Sequence, residues 1–446
     1  MTTPQRFGFD IDARGNLIIG GVPAADLAAR FGTPLHVVDE ARMRANCRSY
    51  VAAMREHAPG PSRVVFASKA LCIIATCQVA YEEGLGIDVA STGEIYTALQ
   101  AKVPAEALYF HGSNKTSEEI KYGLEAGVGR FVVDNEYELT LLDRFARERG
   151  RRADVLLRVA PGIEPHTHKA IITGGVDSKF GFGLLGPSAE AAVHAALAAP
   201  GIRLRGLHCH IGSQILEVEP FRLAARSLLA FAAEMRPAGF VLEELNLGGG
   251  LGVRYLVEHE PPSHEALVKA AMDSVRDSVA RHNLPVPAVL IEPGRSIVGD
   301  AGVTLYTVGA IKAIPGIRTY VSVDGGMYEN PRPALYDARY TAVVATRAAD
   351  RPSQRVAVAG RCCESGDVLI WEADLPQVRE GDLLAMFSAG AYNYSMASNY
   401  NRYPRPAVVF ARDGGAQIAV ERETSADMVR HDRPLTPTAT IPSRAR

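Results

Sequence analysis

The chain has 446 residues, 47% hydrophobic and 22% charged, with 48 Lys plus Arg against 50 Asp plus Glu for a formal net charge of -2. That is enough apolar chain for two or three domains with large cores, and too even a charge for nucleic acid or an anionic membrane to be the main partner. The opening MTTPQRFGFD has no apolar signal core, no run is long enough to span a bilayer, and the six cysteines fall in no CxxC or zinc-ligand spacing, so we expect a cytoplasmic, soluble protein with reduced thiols.

Residues 7–20 contain FGFD and NLIIG, and the N-terminal segment 1–35 is expected to pair with a later β domain. A helix-like stretch over 40–56 comes next. Short β-branched runs then predict strands near 63–67, 86–89, 107–111, 130–134, 154–159, 203–210, 242–247 and 288–292. Helix-like stretches separate them, among them 71–84, 93–102, 117–127, 136–149, 187–198, 219–235 and 264–281.

Eight strands alternating with helices point to an α/β fold, a (β/α)8 TIM-type barrel over 36–300, with a doubly wound open sheet as the alternative. The unusual residues favour the barrel. Lys69, Asp88, His111, Arg158, His210, Gly248 to Gly250 and Glu292 all fall at or just after strand C-terminal ends. In a barrel those ends share the rim where active sites form. Beyond residue 300 the pattern changes to β-like runs such as VTLYTVGAI and RVAVAG, which predicts a mainly β C-terminal domain over 301–430. The polar, Pro-rich 431–446 reads as a mobile tail.

Several of these residues carry chemistry. Lys69 ends the apolar strand in VVFASKAL, where a partly desolvated amine can lose its proton and form an imine. Taken alone it also reads as a surface lysine capping a strand. In LNLGGGLG, Gly248, Gly249 and Gly250 make either a backbone cradle for a phosphate or a tight turn. IEPGRSIV sets Glu292, Gly294 and Arg295 together. Glu292 suits a protonated pyridine nitrogen and Arg295 a phosphate or carboxylate, while an internal Glu–Arg pair is the bland alternative.

LHCHIGSQ places His208 and His210 on one side of a strand, with Ser213 just after. No third ligand accompanies the histidines, so a ring stacked on a flat cofactor fits better than a metal. The polar loop 161–183 is either a substrate lid or a solvated crossing. In RCCESGD, Cys363 beside Glu364 could donate a proton, and no neighbouring histidine supports a nucleophilic cysteine.

Together the segments FASKA (66–70), DVASTGE (88–94), HTHKAIITGGVDSKFG (166–181), HCHIGSQ (208–214), LGGGLG (247–252), EPGR (292–295), RPALY (332–336), CCESGD (362–367) and AYNYSMASNYN (391–401) carry a resemblance. From about residue 30 to 425 the chain resembles the diaminopimelate decarboxylases, within the alanine-racemase-like pyridoxal-phosphate group. The resemblance implies pyridoxal 5'-phosphate held by Lys69, with Glu292 at its pyridine nitrogen and His210 against its ring. Asp88 counts among the cofactor contacts it implies. Ser213, Gly248 to Gly250, Gly294 and Arg295 would surround the phosphate.

It also implies that Arg295, Arg332 and Tyr336 hold the retained carboxylate of the amino-acid substrate and that Glu364 recognises the far amino group. Tyr392 would lie near cofactor and substrate. Cys363 would come from the partner subunit of a homodimer and supply the proton that replaces CO2. One mild departure is Leu71–Cys72 after Lys69–Ala70, where the family commonly has an asparagine. The implied activity is conversion of meso-2,6-diaminopimelate to L-lysine and CO2, the last step of lysine biosynthesis. Rival readings are an ornithine or arginine type decarboxylase, a racemase and a catalytically silent relative. A racemase needs a second base opposite Lys69, which Cys363 suits poorly. Lys69, Glu292 and Cys363 are all present, against a silent relative.

Overall fold

The computed structural model describes residues 2–163 and 178–435. The middle of the expected lid and the last residues of the expected tail lie outside them. Eight parallel strands close on themselves: β1 (Ser62–Ala67), β2 (Gly86–Val89), β3 (Leu108–Phe110), β4 (Arg130–Val133), β5 (Ala153–Ala160), β6 (Ile202–His208), β7 (Glu244–Asn246) and β8 (Ala288–Ile291). Each pairs with the next, and β8 pairs with β1 through Leu290 and Arg63. These are the eight expected strands, with ends within a few residues of those read from sequence.

Helices cover the barrel: α1 (Glu40–His57), α2 (Ile74–Glu82), α3 (Thr92–Gln100), α4 (Ser117–Ala126), α5 (Glu136–Glu148), α6 (Ser188–Ala198), α7 (Glu219–Glu234) and α8 (His264–His282). α1 precedes the first strand and packs beside α8, completing the ring. Side chains at the rim set where three of the helices begin. Ser91, Thr116 and Asn135 accept from the backbone N–H groups of Glu94, Glu119 and Glu138, so α3, α4 and α5 start abruptly after their strands. None of the helices among the described residues is long and apolar enough to cross a membrane.

The remaining strands form the C-terminal domain: β9 (Gly302–Ile314), β10 (Arg318–Val323), β11 (Ala342–Val344), β12 (Gln354–Ala359), β13 (Val368–Leu375), β14 (Leu383–Phe387), β15 (Ala407–Arg412) and β16 (Gly415–Val420). Long β9 is the hub, antiparallel to β10 and to β14. The strand Leu35–Asp39 also belongs to this sheet, antiparallel to β9 and parallel to β15.

The N-terminal segment corrects one expectation. Asp10–Ile11, Leu17–Ile19 and Val22–Pro23 pair with one another in a three-stranded sheet of their own, not with strands of the C-terminal sheet. They reach that domain by packing. Phe7 and Phe9 stack on Phe387 at 4.7 and 5.5 Å, and Leu17 and Ile19 are fully buried. The turn at Gly20 lies so close to β15 that a Cβ there would stand 2.2 Å from the Ala411 carbonyl oxygen.

Candidate active site

The strand ends bring polar side chains to one rim. Glu292, just past β8, is 4% exposed. Its Oε1 accepts from His111 Nε2 at 2.9 Å and Asn246 Nδ2 at 2.7 Å, and its Oε2 from His208 Nε2 at 3.0 Å. Burial alone would push this carboxyl up, but the two imidazoles and their hydrogen bonds hold it well below the usual range. A carboxylate only accepts, so both histidines present Nε2–H to it. Burial lowers His208 to about 4, so this ring is neutral near pH 7.

His111, His208 and Glu292 bring three potential metal ligands within 4.8 Å of one another. The hydrogen bonds show what they do instead. Binding a metal through His208 Nε2 would move its proton to Nδ1, which is buried with no partner among the described residues. The cluster is built to hold one ionised carboxylate with three N–H donors.

Lys69 follows β1 in a short turn. Its side chain is accessible, but to a cavity of about 600 Å³ that it lines together with His210, Ser213, Arg295, Arg332 and Tyr392. Burial works to lower the amine. Tyr392, Asp88 and Glu292 outweigh it and hold the amine above its usual value. Asp88 lies buried at the end of β2, 3.8 Å from His111 Nε2. His210 accepts at Nδ1 from the Gly249 N–H at 3.2 Å, which leaves its proton on Nε2, and burial keeps the ring neutral.

The glycine loop is shaped by close backbone approach. A Cβ on Gly249 would lie 2.0 Å from the Glu292 carbonyl oxygen, and one on Gly248 would lie 2.3 Å from that of Cys209. Gly248 donates to Asn246 Oδ1 at 3.0 Å. Two of the loop's three N–H groups therefore have protein partners. Gly294 opens the short helix Arg295–Val298, and a Cβ there would meet Ala67 at 2.9 Å. Its neighbour Arg295, 5% exposed, donates to Ser213 Oγ at 2.8 and 3.2 Å and lies over the Tyr392 ring at 4.7 Å.

Arg332 and Tyr336, on the short helix Arg332–Tyr336, line the same cavity. Arg332 is 6% exposed and donates to the Tyr340 hydroxyl. Tyr392 is tied to the lysine turn by its N–H to the Ala70 carbonyl at 2.8 Å. Gln214, Asp337 and Tyr392, all at the cavity, have φ of +58°, +50° and +63°, a backbone state that costs non-glycine residues about 1–3 kcal/mol each.

Cys363 and Glu364 are placed elsewhere. Both are exposed, outside the lining of this cavity, on the loop between β12 and β13. Buried Asp367 shapes that loop by accepting from the N–H groups of Met327 and Cys362 at 2.6 and 2.7 Å. Sequence reasoning missed Asn246 and Tyr255. An asparagine between two leucines in LNL was a signal for a buried polar role. Tyr255, in an irregular loop, gave none.

A family profile described as pyridoxal-dependent decarboxylase, pyridoxal binding domain, matches residues 41–299. Barrel, rim lysine and profile together define a pyridoxal-dependent decarboxylase. Among whole-length relatives, diaminopimelate decarboxylase of Bacillus subtilis (strain 168) is 50% identical over 422 residues, covering 94% of this chain and 96% of the relative. That of Staphylococcus aureus (strain COL) is 42% identical, covering 94% and 98%. The crystal structure of diaminopimelate decarboxylase from M. jannaschii in co-complex with L-lysine has a TM-score of 0.88 at 36% identity, covering 96% of this chain and 98% of that one. This chain belongs to the diaminopimelate decarboxylase family.

The site's own chemistry fits pyridoxal 5'-phosphate. It offers a primary amine for the aldehyde, a neutral imidazole for a ring face, and the Ser213 hydroxyl beside the Gly294–Arg295 backbone for phosphate. It also offers a buried carboxylate held ionised by hydrogen bonds from two imidazoles and an amide, which suits a protonated ring nitrogen.

Proposed function

We propose that the chain converts meso-2,6-diaminopimelate to L-lysine and CO2, with Lys69 holding the cofactor and the last step of lysine biosynthesis as its place. The observation that carries this reading is the convergence of Lys69, His210, Arg295 and Arg332 on one rim cavity, above a Glu292 that imidazole and amide N–H groups keep ionised. Bound there, pyridoxal 5'-phosphate supplies the electron sink that lets a carboxylate leave as CO2.

The chain's own residues do the rest. Glu292 keeps a proton at the pyridine nitrogen, because a buried ionised carboxylate favours the charged form of a base placed against it. Ser213 and the backbone around Gly294 and Arg295 take the phosphate. Arg295, Arg332 and Tyr336 hold the carboxylate that is kept, which turns the departing one toward the reacting position. Among the described lining residues six are Lys or Arg and one, Asp337, is acidic, so the cavity draws an anionic substrate.

Cys363 and Glu364 serve the cavity of a second copy, Cys363 as proton donor and Glu364 as the contact for the far amino group. Their exposure on a shaped loop, outside their own chain's cavity, supports a homodimer with shared sites. Six free cysteines support a cytoplasmic setting.

The direct test is incubation with meso-diaminopimelate, following CO2 and lysine with and without added pyridoxal phosphate. Equal amounts of both products, dependent on the cofactor, are expected. Turnover of ornithine or arginine with none of diaminopimelate would sink the reading. For the shared site, heterodimers of Lys69→Ala and Cys363→Ala subunits should recover activity that neither parent has, and verified heterodimers without recovery count against it.

A further inference from the structure

Tyr255 has no part in the reaction as derived so far, yet it sits at the meeting point of the two buried arginines. Arg295 Nη1 donates to its hydroxyl. The Arg332 guanidinium carbon stands 4.9 Å from its ring centroid, and that of Arg295 stands 5.7 Å away. Tyr340 packs edge-on against the same ring at 5.3 Å, accepts from Arg332 and donates to buried Asn393 Oδ1 at 3.1 Å. Among the described residues no carboxylate lies within ion-pair distance of Arg295 or Arg332. Two buried like charges are thus held near each other by an aromatic face and a phenol oxygen, with no acid between them.

The electrostatics agree with that placement. Burial alone would raise the Tyr255 phenol, but Arg295 and Arg332 outweigh it and draw the group below its ordinary value. Tyr340 and the His259 ring, whose Nδ1 accepts from the Tyr255 N–H at 3.4 Å, are the other titratable groups against it.

We propose that Tyr255 is a specificity-determining positioning residue that links Arg295 to Arg332 and sets the separation at which they grip the retained carboxylate. This rests on the reading that the two arginines bind that carboxylate. A two-guanidinium grip is selective only if both prongs hold their places before the ligand arrives. Anchoring both to one rigid ring does this. Without the hydroxyl, Arg295 loses its tie to Tyr255 and keeps hydrogen bonds to Ser213 alone, so its separation from Arg332 is no longer fixed through one ring.

Tyr255→Phe keeps the ring and removes only that tie. We expect KM for meso-diaminopimelate to rise about tenfold or more, with kcat within about threefold. Inhibition by L-lysine, which keeps the carboxylate, should weaken by the same factor. Inhibition by cadaverine, the matching diamine with no carboxylate, should not change. Tyr255→His, which returns a polar ring atom, should recover part of the loss and provides a second variant should the first fold poorly. An unchanged KM and lysine affinity in Tyr255→Phe, or an equal weakening of cadaverine, overturns the proposal. Arg332→Ala separates the two ideas. If it leaves KM and lysine affinity unchanged, the carboxylate reading fails, whereas a raised KM there with an unaffected Tyr255→Phe rejects Tyr255 alone.

Discussion

The barrel carries a buried acid at its rim and a half-buried one at its other end, and partners them in opposite ways. At the closed end, Glu244 on β7 takes Arg130 from β4 in a two-pronged pair, one contact at 2.9 Å, and Arg130 also reaches Asp154 at 3.2 Å. β4 and β7 are not neighbours, so the pair spans the barrel interior. At the rim, Glu292 has two imidazoles and an amide instead. A guanidinium beside an acid satisfies its charge and leaves nothing for a ligand. Imidazole and amide N–H donors stabilise the charge without a guanidinium to pair it. Glu244 and Asn246 make the contrast on a single strand, two positions apart on the inward face, one closing the barrel and the other tuning its mouth.

Charge-neutralising variants at the two ends should therefore fail differently. Glu292→Gln is expected to lower kcat on the order of 10³-fold, far more than its loss of stability in urea would explain. Glu244→Gln should do the reverse, leaving kcat within about twofold while stability falls by about 2–3 kcal/mol, because Arg130 is left half-buried with a weakened partner. Equal losses of activity in the two variants would erase the distinction.

The pH dependence of stability sharpens it further. His208 has its folded pKa depressed to about 4, so its contribution is present above its ordinary value of 6.5 and is lost as pH falls toward 4. Depressed Glu292 adds a slope of the same sign at lower pH. His208→Gln should flatten the decline between pH 6.5 and 4 by up to roughly 3 kcal/mol in urea titrations. The smallest effect is expected from Asn246→Ala, which removes one donor from Glu292. A hydrogen bond to a charged group is worth about 1.5–3 kcal/mol, so the acidic limb of kcat should move up by about one to two pH units. A limb that stays in place would mean that the amide does not tune the acid.

These contrasts were only partly legible in the sequence. Most of the strands were readable as short apolar runs closed by a polar residue, and the same endings exposed Lys69, Asp88, His210 and Glu292 as rim groups. The partners of Glu292 were harder, because His111, Asn246 and His208 come from three different strands and only closure of the barrel brings them together. Tyr255 could not be linked to Arg332, because one lies in a loop of the barrel and the other on a short helix beyond it, with 76 residues of sequence between them. The N-terminal strands are two or three residues long, too short for a pattern to say what they pair with.

Leu35–Asp39 lies between β9 and β15, strands made long after it. A ribosome releases this apolar segment early, then must finish the entire barrel and most of the C-terminal domain before both of its neighbours exist. Until β15 emerges, one flank of LHVVD has no lawful companion, and it is open to pairing with another nascent chain. Synthesis truncated before residue 407 should therefore yield a species prone to aggregation, even though every barrel strand is already present.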